Sequence, residues 1–144
     1  MQEALELARR AEEQGEVPVG AVVIAPDGRV IGRGYNRREQ DQNPVAHAEI
    51  LAIQDAAKSL GSWRLIDCIL VVTLEPCPMC LAAAQQARIG SIVYGATDPK
   101  GGAISLGYAL NSDTRINHRF MVEHRDHPEC SRVLRDFFAA KRRK

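Results

Sequence analysis

The sequence predicts an α/β domain, with helices layered on a mixed sheet. Three observations carry this. Runs rich in β-branched residues alternate with helical segments along the whole chain. Three of those helical segments open on or just after a proline, at Pro44, Pro78 and Pro128. One tight turn, Pro26-Asp27-Gly28-Arg29, separates two neighbouring β-rich runs and so predicts a hairpin. The chain has 144 residues, of which 45% are apolar and 26% charged. That length and composition fit one domain over 1–144 that can bury its own core.

Taken in order, Gln2 to Gln14 places Leu5, Ala8 and Ala11 on one helical face, and Gly15 ends it. Val17 to Ala25 and Val30 to Asn36 are the two strands of the hairpin. Asn43-Pro44 predicts the start of a second helix, Asn as N-cap and Pro in the first turn, running to Leu60 with Gly61 as its C-cap. Ile69 to Leu74 is a fully apolar strand, and Pro78 opens an alanine-rich helix that continues to Arg88. Ile92 to Tyr94 is a further strand, Gly101-Gly102 a loop, and Pro128 to Ala140 a last helix with Val133, Leu134, Phe137 and Phe138 on its apolar face. Strand order is not legible at this level.

Charge is unevenly spread. The net charge is +1, but residues 115–144 carry 9 Lys or Arg against 4 Asp or Glu, while residues 1–114 carry 10 against 14. The C-terminal part ends in Lys141-Arg142-Arg143-Lys144, which suits either a polyanionic partner or a solvated helix end. No apolar run reaches the length of a membrane span, and Met1 to Glu6 lacks the basic-then-apolar pattern of a secretory signal. Four cysteines do not demand a disulfide framework. A reducing, cytoplasmic setting and no membrane association are therefore expected.

The chemistry concentrates in His47-Ala48-Glu49 and Pro76-Cys77-Pro78-Met79-Cys80. Alone, a Cys-x-x-Cys pair is equally a redox couple, half a zinc ribbon or two buried thiols. Alone, a helical histidine is more often packing or surface. Together, one imidazole and two thiolates make a three-ligand zinc site with a fourth position left for water. Residues two apart in mid-helix point about 200° apart, so His47 and Glu49 converge on one point only near a helix end. Cys77 and Cys80 also stand at a helix start, and two N-termini facing one ion would favour thiolate. Zinc lowers the pKa of bound water to about 7. Glu49 would then carry that water's proton to the substrate and to the departing amine.

His-x-Glu followed by Pro-Cys-x-x-Cys is the known signature of zinc-dependent nucleobase deaminases, and the reaction is assigned by matching it. The chain resembles the cytidine deaminase-like superfamily and, within it, the bacterial tRNA-specific adenosine deaminases. The resemblance runs through Glu16-Val17-Pro18-Val19-Gly20-Ala21, Asn36, His47-Ala48-Glu49, Thr73 to Cys80, Ala87-Arg88-Ile89, Val93 to Ala96, Asp98-Pro99-Lys100, Asn117-His118-Arg119 and Phe137-Phe138. It implies a three-layer α/β/α fold around a mixed five-stranded sheet, and one Zn2+ per subunit held by His47, Cys77 and Cys80. It implies hydrolysis of adenosine to inosine at the wobble position of a tRNA anticodon, usually arginine tRNA, with Glu49 as proton shuttle. It further implies a homodimer whose subunits both touch the anticodon stem-loop.

By the same resemblance, Asn36 contacts the target nucleoside; as plain sequence it is a residue ending a strand. Asp98 would accept from a ribose 2′-hydroxyl and Lys100 would meet a phosphate, unless Asp98-Pro99 only starts a turn. Asn117, His118 and Arg119 would contact the anticodon stem or loop, or cap a chain reversal. Of Phe137 and Phe138, which share an apolar helix face, at least one would pack in the core, and the other, taken as Phe138, would stack on a base. Cys68 is expected to be a small buried hydrophobe and Trp63 to pack beneath a loop; Cys130 has no evident role. The chain departs from the family at Asn43-Pro44-Val45-Ala46, where Asp-Pro-Thr-Ala is commoner, and between Gly101 and Leu110, where Gly-Ala-x-Gly-Ser is usual. The alternatives are a superfamily member acting on a free base or nucleoside such as guanine or cytosine, a zinc-stabilised RNA-binding module, which leaves Glu49 idle, and a redox pair, which leaves both His47 and Glu49 idle.

Overall fold

Val30–Tyr35 (β2) folds back on Gly20–Ile24 (β1) as an antiparallel hairpin, closed at Gly28 with a φ of 91°. The computed structural model describes residues 1–143; the final Lys144 of the basic run lies outside the described residues. β1 also pairs antiparallel with Ile69–Leu74 (β3), which runs parallel to Ser91–Ala96 (β4). β4 in turn runs parallel to Met121–His124 (β5). The sheet is thus mixed and five-stranded, in the order β2-β1-β3-β4-β5. Because β2, β3, β4 and β5 share one direction, their carboxyl ends meet along a single edge, where open α/β sheets bind ligands.

Helices cover both faces. Gln2–Glu13 (α1) and Pro128–Arg142 (α4) lie on one, with Leu5, Leu7, Val22, Val71, Ala96 and Cys130 buried there. Ala48–Leu60 (α2) and Pro78–Gln86 (α3) lie on the other, over the main core of Val23, Leu70, Val72, Leu81, Ile92 and Phe120. Alternate β3 residues supply the two cores, as a pleated strand buried on both faces must. No described helix is long and apolar enough to cross a membrane.

α2 reaches unusually close to the hairpin. A Cβ added at Gly34 would lie 2.3 Å from the Ala48 carbonyl oxygen, and one at Gly32 2.3 Å from that of Ala52. Glycine on β2 facing alanine on α2 lets backbone meet backbone, and this contact sets the height of the helix. Gly34→Ala is expected to cost more than about 3 kcal/mol, the upper end of ordinary overpacking, because main chain has to move. Urea unfolding with zinc content measured alongside would check this: both should fall.

The expected mixed five-stranded sheet is present; three expectations need correction, and one of the five strands is not located by the sequence. α2 begins at Ala48, not at Asn43-Pro44. Asn43 turns its side chain onto the Val45 N–H at 3.1 Å, closing a local turn instead of capping a helix. α3 ends at Gln86 because Arg88 adopts φ 61°, which no α-helix continues through. β5 adds a strand that the residue pattern does not announce. Trp63 is 53% exposed, with the Arg64 and Arg88 guanidinium groups over its ring at 4.3 and 5.7 Å, so it does not lie beneath a loop. Cys68 is buried as expected, and Cys130 is packed beside Leu5 and Ala96.

Candidate active site

His47 and Cys77 occupy equivalent places: each is the extended N-cap residue of its helix, α2 and α3 respectively. Glu49 follows in the first turn of α2 and Cys80 in that of α3. The late start of α2 sharpens the convergence, because a cap residue and its second successor both face the helix end. His47 Nδ1 stands 3.6 Å from the Cys77 sulfur and 3.5 Å from that of Cys80, and one donor atom from each lies within 4.8 Å of the others.

Those distances test the fit of zinc. Bonds of about 2.3 Å to sulfur and about 2.05 Å to nitrogen at a tetrahedral angle separate N and S by about 3.6 Å. The two nitrogen-to-sulfur spacings therefore already match those of a tetrahedral site, and three donors leave a fourth position free. Without a metal the three groups share protons. Cys77 is lowered to about 4 by hydrogen bonds from the Cys80 thiol and His47, while Cys80 is pushed up by its hydrogen bond to Cys77 and by burial. His47 is raised chiefly by Cys77. A divalent cation would replace these shared protons, since it binds thiolate and neutral imidazole.

Glu49 is only 4% exposed, and burial pushes its carboxyl up to about 7. A cation nearby would draw it down again. It is a carboxylate kept dry at the wall of a cleft of about 300 Å³ that is also lined by His47, Cys77, Asn36, Asp98 and Lys141. The cleft opens at the carboxyl ends of β2, β3 and β4.

The structure brings part of the expected site together. Asn36 lines the cleft, with its side chain already anchored: Nδ2 donates to the Val17 carbonyl at 3.0 Å and Oδ1 accepts from the Ala48 N–H at 2.9 Å. That fixes the amide's orientation, ties the hairpin to the start of α2, and leaves one N–H and one lone pair free. Asp98 also lines it; its Oδ1 accepts from the Lys100 and Gly101 N–H groups at 3.3 and 3.1 Å, as in an Asx turn. Lys100 is exposed on that turn, outside the cleft lining. Phe138 is 42% exposed, edge-on to buried Phe137, one helical turn before Lys141.

Asn117, His118 and Arg119 are not brought there. They precede Met121, which pairs with Ser91 at the start of β4, whereas the cleft lies beyond Ala96 at its end. Six residues of strand separate the two, about 20 Å. His118 is turned inward, with Nε2 2.7 Å from the Ile89 carbonyl and its ring stacked on Phe120, and Arg119 donates to Thr114.

Sequence reasoning passes over two buried carboxylates, Glu16 and Glu75, and the exposed Arg38, all lining the cleft. Glu16 accepts from the Glu39 and Gln40 N–H groups at 3.2 and 2.8 Å, holding the chain between β2 and α2. The one available signal is that both glutamates sit inside motif stretches, Glu16-Val17-Pro18 and Leu74-Glu75-Pro76.

Residues 1–96, which contain the trio and Glu49, match the model of the cytidine and deoxycytidylate deaminase zinc-binding region. The chain belongs to this family. Zinc is accordingly the cofactor of this deaminase domain, and among the described residues the trio is the group able to hold it. The family member is 46% identical over its whole length to the tRNA-specific adenosine deaminase of Bacillus subtilis, of which it spans 89%. It is 51% identical to part of the tRNA(Ile)-lysidine synthase of Deinococcus radiodurans, spanning 25% of that protein. A structure from a study of A-to-I editing by tRNA:A34 deaminases at the wobble position of transfer RNA superposes with a TM-score of 0.81 at 47% identity. That match covers 87% of this chain and 95% of the other.

Proposed function

We propose that this deaminase converts adenosine to inosine at the wobble position of a tRNA anticodon, arginine tRNA being its substrate in the cytoplasm. The observation that carries the reading is a dry carboxylate beside a cation-binding trio, in a cleft on a chain that matches a tRNA-specific adenosine deaminase from end to end. His47, Cys77 and Cys80 would hold the zinc. Zinc bound there would supply an acidified water as nucleophile, its pKa lowered to about 7. Glu49 accepts a proton from the attacking water and delivers it to the ring nitrogen beside C6. It then protonates the amino group, so that nitrogen leaves as ammonia rather than as a strongly basic amide anion. One C–O bond forms and one C–N bond breaks, with no oxidant or reductant.

Specificity comes from the rims. Asn36 offers its free amide valences to the nucleoside, and Asp98 offers its unused carboxylate oxygen to a ribose hydroxyl. Arg38 and Lys141 line the cleft from different elements, and neither has an ion-pair partner among the described residues. In this reading both meet phosphates beside the target nucleotide, and Lys100 and Phe138 contact RNA outside the cleft. Replacing Arg38 or Lys141 by Gln is expected to weaken tRNA binding mainly at low salt, each lowering the slope of log K against log salt by about 1. A salt titration of binding checks this; unchanged slopes would remove both from the interface.

A homodimer accommodates Asn117, His118 and Arg119, which lie too far from their own cleft to touch the same nucleotide but can meet the rest of the stem-loop from a second copy. Exposed Ile104, Leu106 and Tyr108 offer apolar surface for such pairing. The deciding assay gives the zinc-loaded protein arginine tRNA, the same tRNA without its wobble adenosine, and free adenosine, cytidine and guanine. Inosine in the first alone supports the proposal; ammonia from a free base would replace it with a free-base deaminase.

A further inference from the structure

We infer that Glu75 is a positioning residue: it fastens the 98–105 loop to the end of β3 and thereby holds Asp98 at the cleft, where the nucleoside binds in the reading above, on which this inference rests. Glu75 is 2% exposed, yet its carboxylate spends both oxygens on one loop. Oε1 accepts from the Asp98 N–H at 3.0 Å and from the Ser105 hydroxyl at 2.6 Å, and Oε2 from the Ser105 N–H at 2.7 Å. The two ends of the loop are thus gathered onto one side chain. Gly102 lies over the carboxylate so closely that a Cβ there would sit 2.2 Å from it. The Ala103 N–H adds a 2.8 Å bond to the Pro76 carbonyl, one residue before Cys77.

These contacts fall within the stretch between Gly101 and Leu110 where the chain departs from the family pattern. Ser105 uses main chain and side chain on the same carboxylate, so the segment Gly101-Gly102-Ala103-Ile104-Ser105 closes as a loop around Glu75. Glu75 fixes the main chain of Asp98 through its N–H, and the Asp98 side chain lines the cleft. A charged acceptor suits three donors; an amide does not. In Glu75→Gln either orientation of the amide sets its NH2 against a main-chain N–H, that of Asp98 or that of Ser105, while the side-chain volume is kept.

Two measurements test this. Hydrogen exchange of Glu75→Gln should show faster exchange at the Asp98 to Ser105 amides, with the α2 and β3 amides unchanged. Unchanged loop exchange would overturn the inference. Steady-state kinetics on an anticodon stem-loop should show KM raised about tenfold with kcat changed by less than about twofold. In combination with Asp98→Ala, Glu75→Gln should add nothing further, because both remove the same contact. Additive losses in that cycle would overturn it too. Ser105→Ala, which removes one donor and keeps Glu75, should give a smaller change in the same direction, so the question stays decidable if Glu75→Gln folds poorly. A wild-type protein that leaves tRNA unmodified would count against the RNA substrate, and the exchange arm would still decide whether Glu75 holds the loop.

Discussion

Glu49→Gln is expected to bind zinc at the wild-type level and to form inosine about 10²- to 10⁴-fold more slowly, the range that general acid–base catalysis supplies. In barrier height that is about 2.7 to 5.4 kcal/mol. The expectation follows from the geometry: Glu49 is outside the His47, Cys77 and Cys80 trio, so an amide should not disturb it. Metal analysis and single-turnover assays on tRNA read the two effects separately. Retained turnover in metal-loaded variant would remove Glu49 from the reaction. The swap also alters pH dependence in zinc-free protein. The Glu49 carboxyl is raised from 4.5 to about 7 in the folded chain, which therefore holds the proton more tightly than the unfolded chain does. Its contribution to stability is full below about pH 4.5 and is lost as pH rises towards 7. Subtracting the Gln variant's stability profile from the wild type's should expose a fall across that window.

Cys80→Ala removes a fully buried donor and leaves two ligands, too few for a zinc site. Zinc content should fall to a small fraction of stoichiometric and inosine formation to background. A second signature separates lost metal from lost fold. Wild-type protein should gain about 2.7 kcal/mol of stability when free zinc is 100 times its Kd, whereas the variant should gain almost nothing. Thermal unfolding across a zinc titration supplies the comparison. A variant still stabilised by zinc would show that another residue completes the set.

Much of this arrangement can be read from local chemistry. The hairpin announces itself through Pro26-Asp27-Gly28-Arg29, and β3 through six consecutive strand-forming residues. The trio and Glu49 are legible because ligand types and spacing are covalent facts. What escapes notice depends on partners distant in sequence. β5 is four residues long with mostly exposed side chains, so nothing in Met121-Val122-Glu123-His124 marks an edge strand until β4 pairs with it. The sheet order then places Asn117 to Arg119 at the end opposite the cleft, which no motif could reveal. Glu16 and Glu75 look like surface acids in the sequence; only the folded loops show that backbone N–H groups satisfy them. Asn43-Pro44 misleads because an Asx turn and a helix cap use the same asparagine oxygen.

The bare contact between β2 and α2 has an effect on how mutational data for this enzyme would read. With no side chain between Gly34 and Ala48, there is no compressible layer to absorb an added methyl. Any bulk there is passed along a rigid helix to His47 and Glu49 at its tip. In a saturation scan selected on inosine formation, Gly32 and Gly34 would score nearly as intolerant as the zinc ligands, although neither lines the cleft. Intolerance in such a map marks the levers of the site together with its chemistry.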